Sequence, residues 1–387
     1  MGFGLLSVYW INCYIYVIFL FAMLRASCIT VVLLALAVPC SAVSVSEDKD
    51  NGYLYYNFNV HGGTVLPHHE TITYFNREYV RSLELNAWFI PGEMRPDRNT
   101  HIGAGYFFSG VGNKEIYGNV HALFLTLVTP RKNNLPVQFK VGVGLSCLTK
   151  PFDLETNYFN RAIGSHINAY AQFTVKGRIP LVGDKWVIMP ALSLHHMSNG
   201  AVVSPNQGLN LFTLSAGIEY RDDRPYTLPD WAVRDPFPHG RHRYTFIYAP
   251  GIKQVDRRVD RQIFTSSLIF DYGYEVAKGK SVGLGFSLFY NDTWAYRPYI
   301  RTERNDELSP FQSALHISLQ AGRGPLAFML HPGVYIYNEA EEWPFMTNRV
   351  GMKYTFRNNL TLQVAVKSHW FAIADYVEWG IGYEFNR

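Results

Sequence analysis

The chain has 387 residues, 48% hydrophobic and 17% charged, with 26 Tyr, 26 Phe and 31 Gly. Its net charge of +4 is too small to suggest a nucleic-acid partner. Abundant aromatics and glycine, with no long apolar run after residue 43, suit a β-rich protein, and no helical domain, internal repeat or low-complexity tract is evident.

The N-terminus is apolar from Gly4 to Ala42, interrupted only by Arg25. Its second half has the anatomy of a secretory signal. Arg25 precedes the apolar run Ile29 to Val38, and Cys40-Ser41-Ala42 offers small residues for cleavage. Residues 1–42 are therefore expected to be a signal peptide, with Met23 the true start and residues 1–22 an upstream extension. A membrane helix is the alternative. Cys13, Cys28 and Cys40 fall in this segment, so the mature chain would keep only Cys147 and form no internal disulfide.

From residue 54 onward the chain reads as segments of about ten residues with period-two alternation, separated by turn-rich stretches. In the segment 137–147, Val137, Phe139, Val141, Val143, Leu145 and Cys147 share one side; Gln138, Lys140, Gly142, Gly144 and Ser146 share the other. The final segment sets Val377, Trp379, Ile381, Tyr383 and Phe385 against Glu378, Gly380, Gly382 and Glu384. A C-terminal amphipathic strand with a near-terminal aromatic predicts an all-β fold: a transmembrane, antiparallel, up-and-down β-barrel. Strands are expected near 54–64, 79–91, 102–109, 119–129, 136–148, 163–176, 185–198, 208–221, 243–254, 262–276, 281–292, 311–321, 326–337, 348–357, 361–372 and 376–386. About 14 to 16 of them would close one barrel over residues 43–387. Residues 221–241 and 291–309 read as long loops.

Along 186–198 the apolar face carries Trp186, Ile188, Pro190, Leu192 and Leu194, and then His196 and Ser198. Ser193 and His195 point inward. On the next strand, Phe212, Leu214, Ala216, Ile218 and Tyr220 put Asn210 on the same outer face, while the phase of Glu219 points it inside. A serine needs a base within hydrogen-bond reach to become a nucleophile. The base needs a third group to fix its tautomer, which Asn210 could supply. Asn199, Gly200, Ala201 and Asn206 could supply donors for an oxyanion or support them.

His196-Met197-Ser198-Asn199 followed by Pro205-Asn206-Gln207-Gly208 resembles the H-x-S-N…P-N-x-G signature of the PagL-type lipid A 3-O-deacylases. The resemblance is specific over residues 190–220. It implies Ser198 as nucleophile and His196 as general base of an esterase on the lipid-facing wall. It also implies the bacterial outer membrane as the location, lipid A of the outer-leaflet lipopolysaccharide as substrate, and the barrel-assembly machinery as a partner for insertion. Two departures stand out. The family's third residue is a Glu where this chain has Asn210, and its characterised members are small eight-stranded barrels. With the N-terminus periplasmic, the seventh strand would run outward and deliver Ser198 near the external leaflet.

A passive porin with a vestigial site and a phospholipase-like esterase are the alternatives. No cofactor and no metal are expected. His68-His69-Glu70 could be a metal pair but lacks an identifiable third ligand. His369, near Asp375 and Glu378, is expected to face the lumen.

Overall fold

The computed structural model describes residues 51–386 apart from 92–100, 130–136, 183–184, 223–225, 228–240, 257–258, 278, 297–308, 324, 340–344 and 371–372. The expected signal peptide at 1–42 lies outside the described residues. In chain order the strands are β1 Asn51–Val65, β2 Val80–Pro91, β3 His101–Gly110, β4 Asn119–Val128, β5 Val137–Leu148, β6 Ile167–Gly177, β7 Trp186–Ser198 and β8 Leu209–Arg221. They continue as β9 His242–Asp256, β10 Val259–Ala277, β11 Lys280–Asn291, β12 Phe311–Arg323, β13 Leu326–Tyr337, β14 Met346–Thr355, β15 Leu360–His369 and β16 Ile373–Asn386. Each expected strand is present. A short helix, α1, spans Glu70–Phe75. Two fragments, Ile179–Val182 and Tyr226–Thr227, extend the edges of β7 and β1.

The expectation of one barrel wall needs correction. The strands close two rings, one of β1–β8 and one of β9–β16. β8 turns back to pair with β1 from Val65↔Leu211 to Tyr55↔Arg221. β16 likewise returns to β9, from Arg243↔Asn386 to Tyr248↔Ile381. The stretch between β8 and β9, read as a loop, is the connection between the two barrels. The all-β, antiparallel barrel class holds; the number of walls differs, because alternation specifies faces and leaves the closing partner open.

Burial is inverted relative to a water-soluble protein, as a lipid-facing wall requires. On β5 Phe139 and Leu145 are exposed while Gln138, Lys140 and Ser146 are buried. On β16 Trp379, Ile381 and Phe385 are exposed while Glu378 and Glu384 are buried. An eight-stranded barrel leaves an interior that side chains can fill, and here matched sets of polar groups share it with apolar residues such as Phe107, Phe124, Tyr170 and Leu211. Inside the first barrel Glu84 receives hydrogen bonds from Lys140 Nζ (2.5 Å), Gln172 Nε2 (2.5 Å) and Asn86 Nδ2 (2.7 Å). The cavity among Asn57, Glu84, Trp88, Lys140 and Ser215 measures about 10 Å³, room for a single water at most.

In the second barrel Arg349 grips Glu378 in a two-point contact, Nε to Oε2 at 2.5 Å and Nη2 to Oε1 at 3.0 Å. Lys253 and Lys367 converge on Asp375, and His369 Nε2 lies 3.3 Å from the same carboxylate. His369 thus faces the lumen, as its phase predicts.

Connections in the second barrel are all short at one end, 278–279, 324–325 and 356–359, whereas the other end carries the two long ones, 292–310 and 338–345, beside the short 257–258 and 370–372. That asymmetry is the one expected of outer-membrane barrels, with tight turns on the periplasmic side.

Candidate active site

The site is built where β7 and β8 finish their ladder. His196 pairs directly with Asn210 across the two strands, so their side chains share one face. His196 Nδ1 and Asn210 Oδ1 are 2.6 Å apart. An amide oxygen only accepts, so Nδ1 carries the proton and Nε2 keeps its lone pair. Gly208, with φ +80°, makes this placement possible: a Cβ there would lie 3.0 Å from His196 Cε1.

Asn210 is held from behind by a residue far away in sequence. Its Nδ2 lies 3.2 Å from His68 Nδ1, and His68 Nε2 lies 2.7 Å from the Gln207 carbonyl. A neutral ring has one N–H, and the shorter contact to a carbonyl claims it. Nδ1 of His68 then accepts from Asn210, despite the Leu66 carbonyl 3.3 Å away. The chain of donors runs from His196 to Asn210 and from Asn210 to His68, which itself donates to Gln207. β1–β8 closure brings the two ends together, with Leu66 N–H donating to Asn210 O at 2.8 Å.

Ser198 occupies the next outward position on β7 after His196, about 7 Å along the strand. Whereas His196 is exposed, Ser198 is 4% exposed, so its hydroxyl is covered although its phase is outward. No hydrogen bond among the described residues joins Ser198 Oγ to His196. The two share a face and a strand end, without a formed contact.

The loop 199–208 folds over this end. Asn199 N–H donates to Asn206 Oδ1 (2.9 Å), and its side-chain Nδ2 donates to Ser165 Oγ (2.9 Å) and Val203 O (2.8 Å). The donors of Asn199 are thereby used within the loop. Gly200 and Ala201, at φ +63° and +62°, make no hydrogen bond through their N–H groups among the described residues. Asn206 also bridges to Ile163 in the neighbouring loop 149–166. In that loop Asp153 caps Thr156 N–H (2.7 Å) and Glu155 N–H (3.0 Å), and these bonds hold its carboxyl below the usual carboxylate range.

The remaining candidates behave differently. His195 points inward, stacked on Phe107 and bonded to Tyr170 OH (2.7 Å) and Thr213 Oγ1 (3.0 Å). Glu219 faces the lumen and lies 3.5 Å from Arg178. In the second barrel Asp271, His316 and His331 place ligand-type atoms within 4.8 Å of one another. His316 Nε2 meets Asp271 Oδ1 at 2.6 Å, and the Arg349 guanidinium lies 3.5 Å from His331 Nδ1. These three side chains also belong to the ion-pair network around Arg349.

Two family models match the chain, one on each barrel. Residues 82–219 match the model described as lipid A 3-O-deacylase (PagL). Residues 242–387 match that described as acyloxyacyl hydrolase, C-terminal domain. The chain belongs to the PagL family. It is a bacterial outer-membrane protein, and membership in this family supports an ester hydrolase that deacylates lipid A. No curated protein matches it. Among solved structures it is similar to Neisserial surface protein A at 11% identity, over 44% of this chain and 96% of that one, with a TM-score of 0.27. A triple mutant of Rhodopseudomonas blastica porin aligns at 12% identity over 87% of this chain and 99% of its own, with a TM-score of 0.17.

The family's small barrel size, a departure at the level of sequence, is resolved by the fold. The region matching the deacylase model lies within an eight-stranded barrel, and the extra strands form a second one. Sequence reasoning brought His196, Ser198 and Asn210 to one face but missed His68, whose pairing with His69 drew it toward a metal reading.

Proposed function

We propose that this PagL-family chain removes an ester-linked acyl chain, the 3-O chain, from lipid A, with Ser198 as nucleophile and His196 as general base. The observation that carries this reading is the 2.6 Å contact between His196 Nδ1 and Asn210 Oδ1 on the outward face. It leaves the imidazole with its basic nitrogen free and a fixed tautomer, the state a serine nucleophile requires.

In the proposed reaction His196 Nε2 takes the Ser198 hydroxyl proton as Oγ attacks the ester carbonyl. The tetrahedral oxyanion is met by the unused N–H groups of Gly200 and Ala201, with Asn199 and Asn206 supporting the loop. Collapse expels the sugar 3-hydroxyl oxygen, which takes the proton from His196. Water, deprotonated by the same nitrogen, then attacks the acyl-enzyme and releases the fatty acid. Asn210 orients the imidazole without contributing a negative charge, and His68 keeps the amide oxygen turned toward His196. The long-loop end of the barrels, on the external side by the turn asymmetry, suits a substrate in the outer leaflet.

The test is mass spectrometry of lipid A from cells carrying the wild type or Ser198→Ala. Loss of one hydroxyacyl mass with the wild type alone is expected. Unchanged lipid A from a folded wild-type barrel overturns the reading, and release of fatty acid from phospholipid alone would reassign the substrate.

A further inference from the structure

The loop that follows Ser198 is held on one side by its own barrel and on the other by the second one. Gln254, near the end of β9 and 8% exposed, makes two of the second barrel's contacts. Its backbone N–H donates to Ala201 O (2.9 Å), and its side-chain Oε1 accepts from Ser204 N–H (2.7 Å). Its cross-strand neighbour on β10, Gln262, donates Nε2 to Val202 O at 3.1 Å. Three hydrogen bonds thus reach a stretch of four residues. Beside them Gly200 packs against β16 so closely that a Cβ would fall 2.4 Å from Val377 Cγ2.

The conformation being held is one the chain would not favour alone. Gly200 tolerates its left-handed backbone, but Ala201, at φ +62°, pays the steric penalty of a side chain there. Its carbonyl is the one that Gln254 N–H caps. The two left-handed residues are also those whose N–H groups are unused, so their direction depends on this clamp.

We infer that the second barrel is a clamp for the catalytic loop of the first, with Gln254 as the positioning residue that aims the Gly200 and Ala201 N–H groups. This rests on the reading of Ser198 as nucleophile. Gln254 touches neither substrate nor reacting atoms; it acts through the loop. The inference gives the second barrel a role in the reaction although its own site-equivalent strand has no outward serine–histidine pair.

The test compares the full-length protein in lipid nanodiscs as wild type, Gln254→Met and Gln254→Glu. Methionine keeps the length and the backbone bond but removes the acceptor; glutamate keeps an acceptor oxygen at the same reach. For Gln254→Met, amide exchange in 199–208 should rise about tenfold while 119–128 and 137–148 stay unchanged. Its kcat on lipid A should fall about tenfold with KM within about twofold, as loss of a donor used only in the transition state demands. Gln254→Glu should recover most of both. Unchanged exchange overturns the clamp, and faster exchange with wild-type kcat overturns its catalytic role. If Ser198→Ala still deacylates, the nucleophile reading has failed, and loop exchange alone decides whether the clamp exists.

Discussion

The two barrels have the same wall and opposite chemistry at matching places. The seventh strand of the first ends His196-Met197-Ser198; the seventh of the second, β15, ends Lys367-Ser368-His369. In the first, histidine and serine are two residues apart, so the pleat puts both outside. In the second they are adjacent, so Ser368 stays on the outer face while His369 turns inward, with Lys367, to Asp375. A shift of one residue in spacing separates a candidate site from an internal ion-pair network. The two walls contain similar residue types, and phase decides which of them face outward.

The largest expected effect breaks that comparison directly. Ser198→Ala should lower deacylation by at least about a thousandfold, the scale of removing a serine nucleophile. Ser368→Ala should leave the rate within about twofold, because no outward histidine serves it. Lipid A mass spectra from matched expression levels compare the two. Equal loss in both variants would mean that the barrels share the chemistry, contrary to their geometry.

A second prediction concerns the lumen of the second barrel. Glu378→Gln strands the Arg349 guanidinium among buried groups, and removing one partner of a buried pair costs about 3–5 kcal/mol. The urea midpoint of the refolded protein should drop accordingly, while kcat per folded molecule stays near wild type. A variant that loses kcat without losing stability would place Glu378 in the reaction.

Much of this architecture was legible in the chain. Alternation located sixteen strands and put His196, Ser198 and Asn210 on one outward face, with His195, Glu219 and His369 turned inward. Ring size was not legible, because a strand's alternation is the same whether β8 returns to β1 or continues to β9. That omission also hid His68. In a single sixteen-stranded wall, residue 68 and Asn210 would be far apart. Once β8 closes on β1, the Val65↔Leu211 pair places the turn after β1 beside Asn210. The cover over Ser198 escaped for a related reason, since neither loop packing nor the second barrel's approach is written in strand period.

The smallest effect is the most diagnostic, because it tests the proposal that the Asn210 amide orients His196 in place of an acid. An Asn behind a histidine is hazardous: if its NH₂ faces the ring, the proton sits on the wrong nitrogen and the base is lost. Here His68 accepts from Nδ2 and so turns the oxygen toward His196. Removing that acceptor with His68→Ala frees the amide to turn over, and kcat should fall about tenfold, or about 1.4 kcal/mol. Asn210→Asp has two acceptor oxygens and no wrong orientation. It should therefore raise kcat severalfold by stabilising the imidazolium, and His68→Ala in that background should cost less than about twofold. Steady-state kinetics of the two single variants and the double variant measure the coupling. Equal losses from His68→Ala in both backgrounds would mean that His68 only packs the turn after β1, and that another contact orients Asn210.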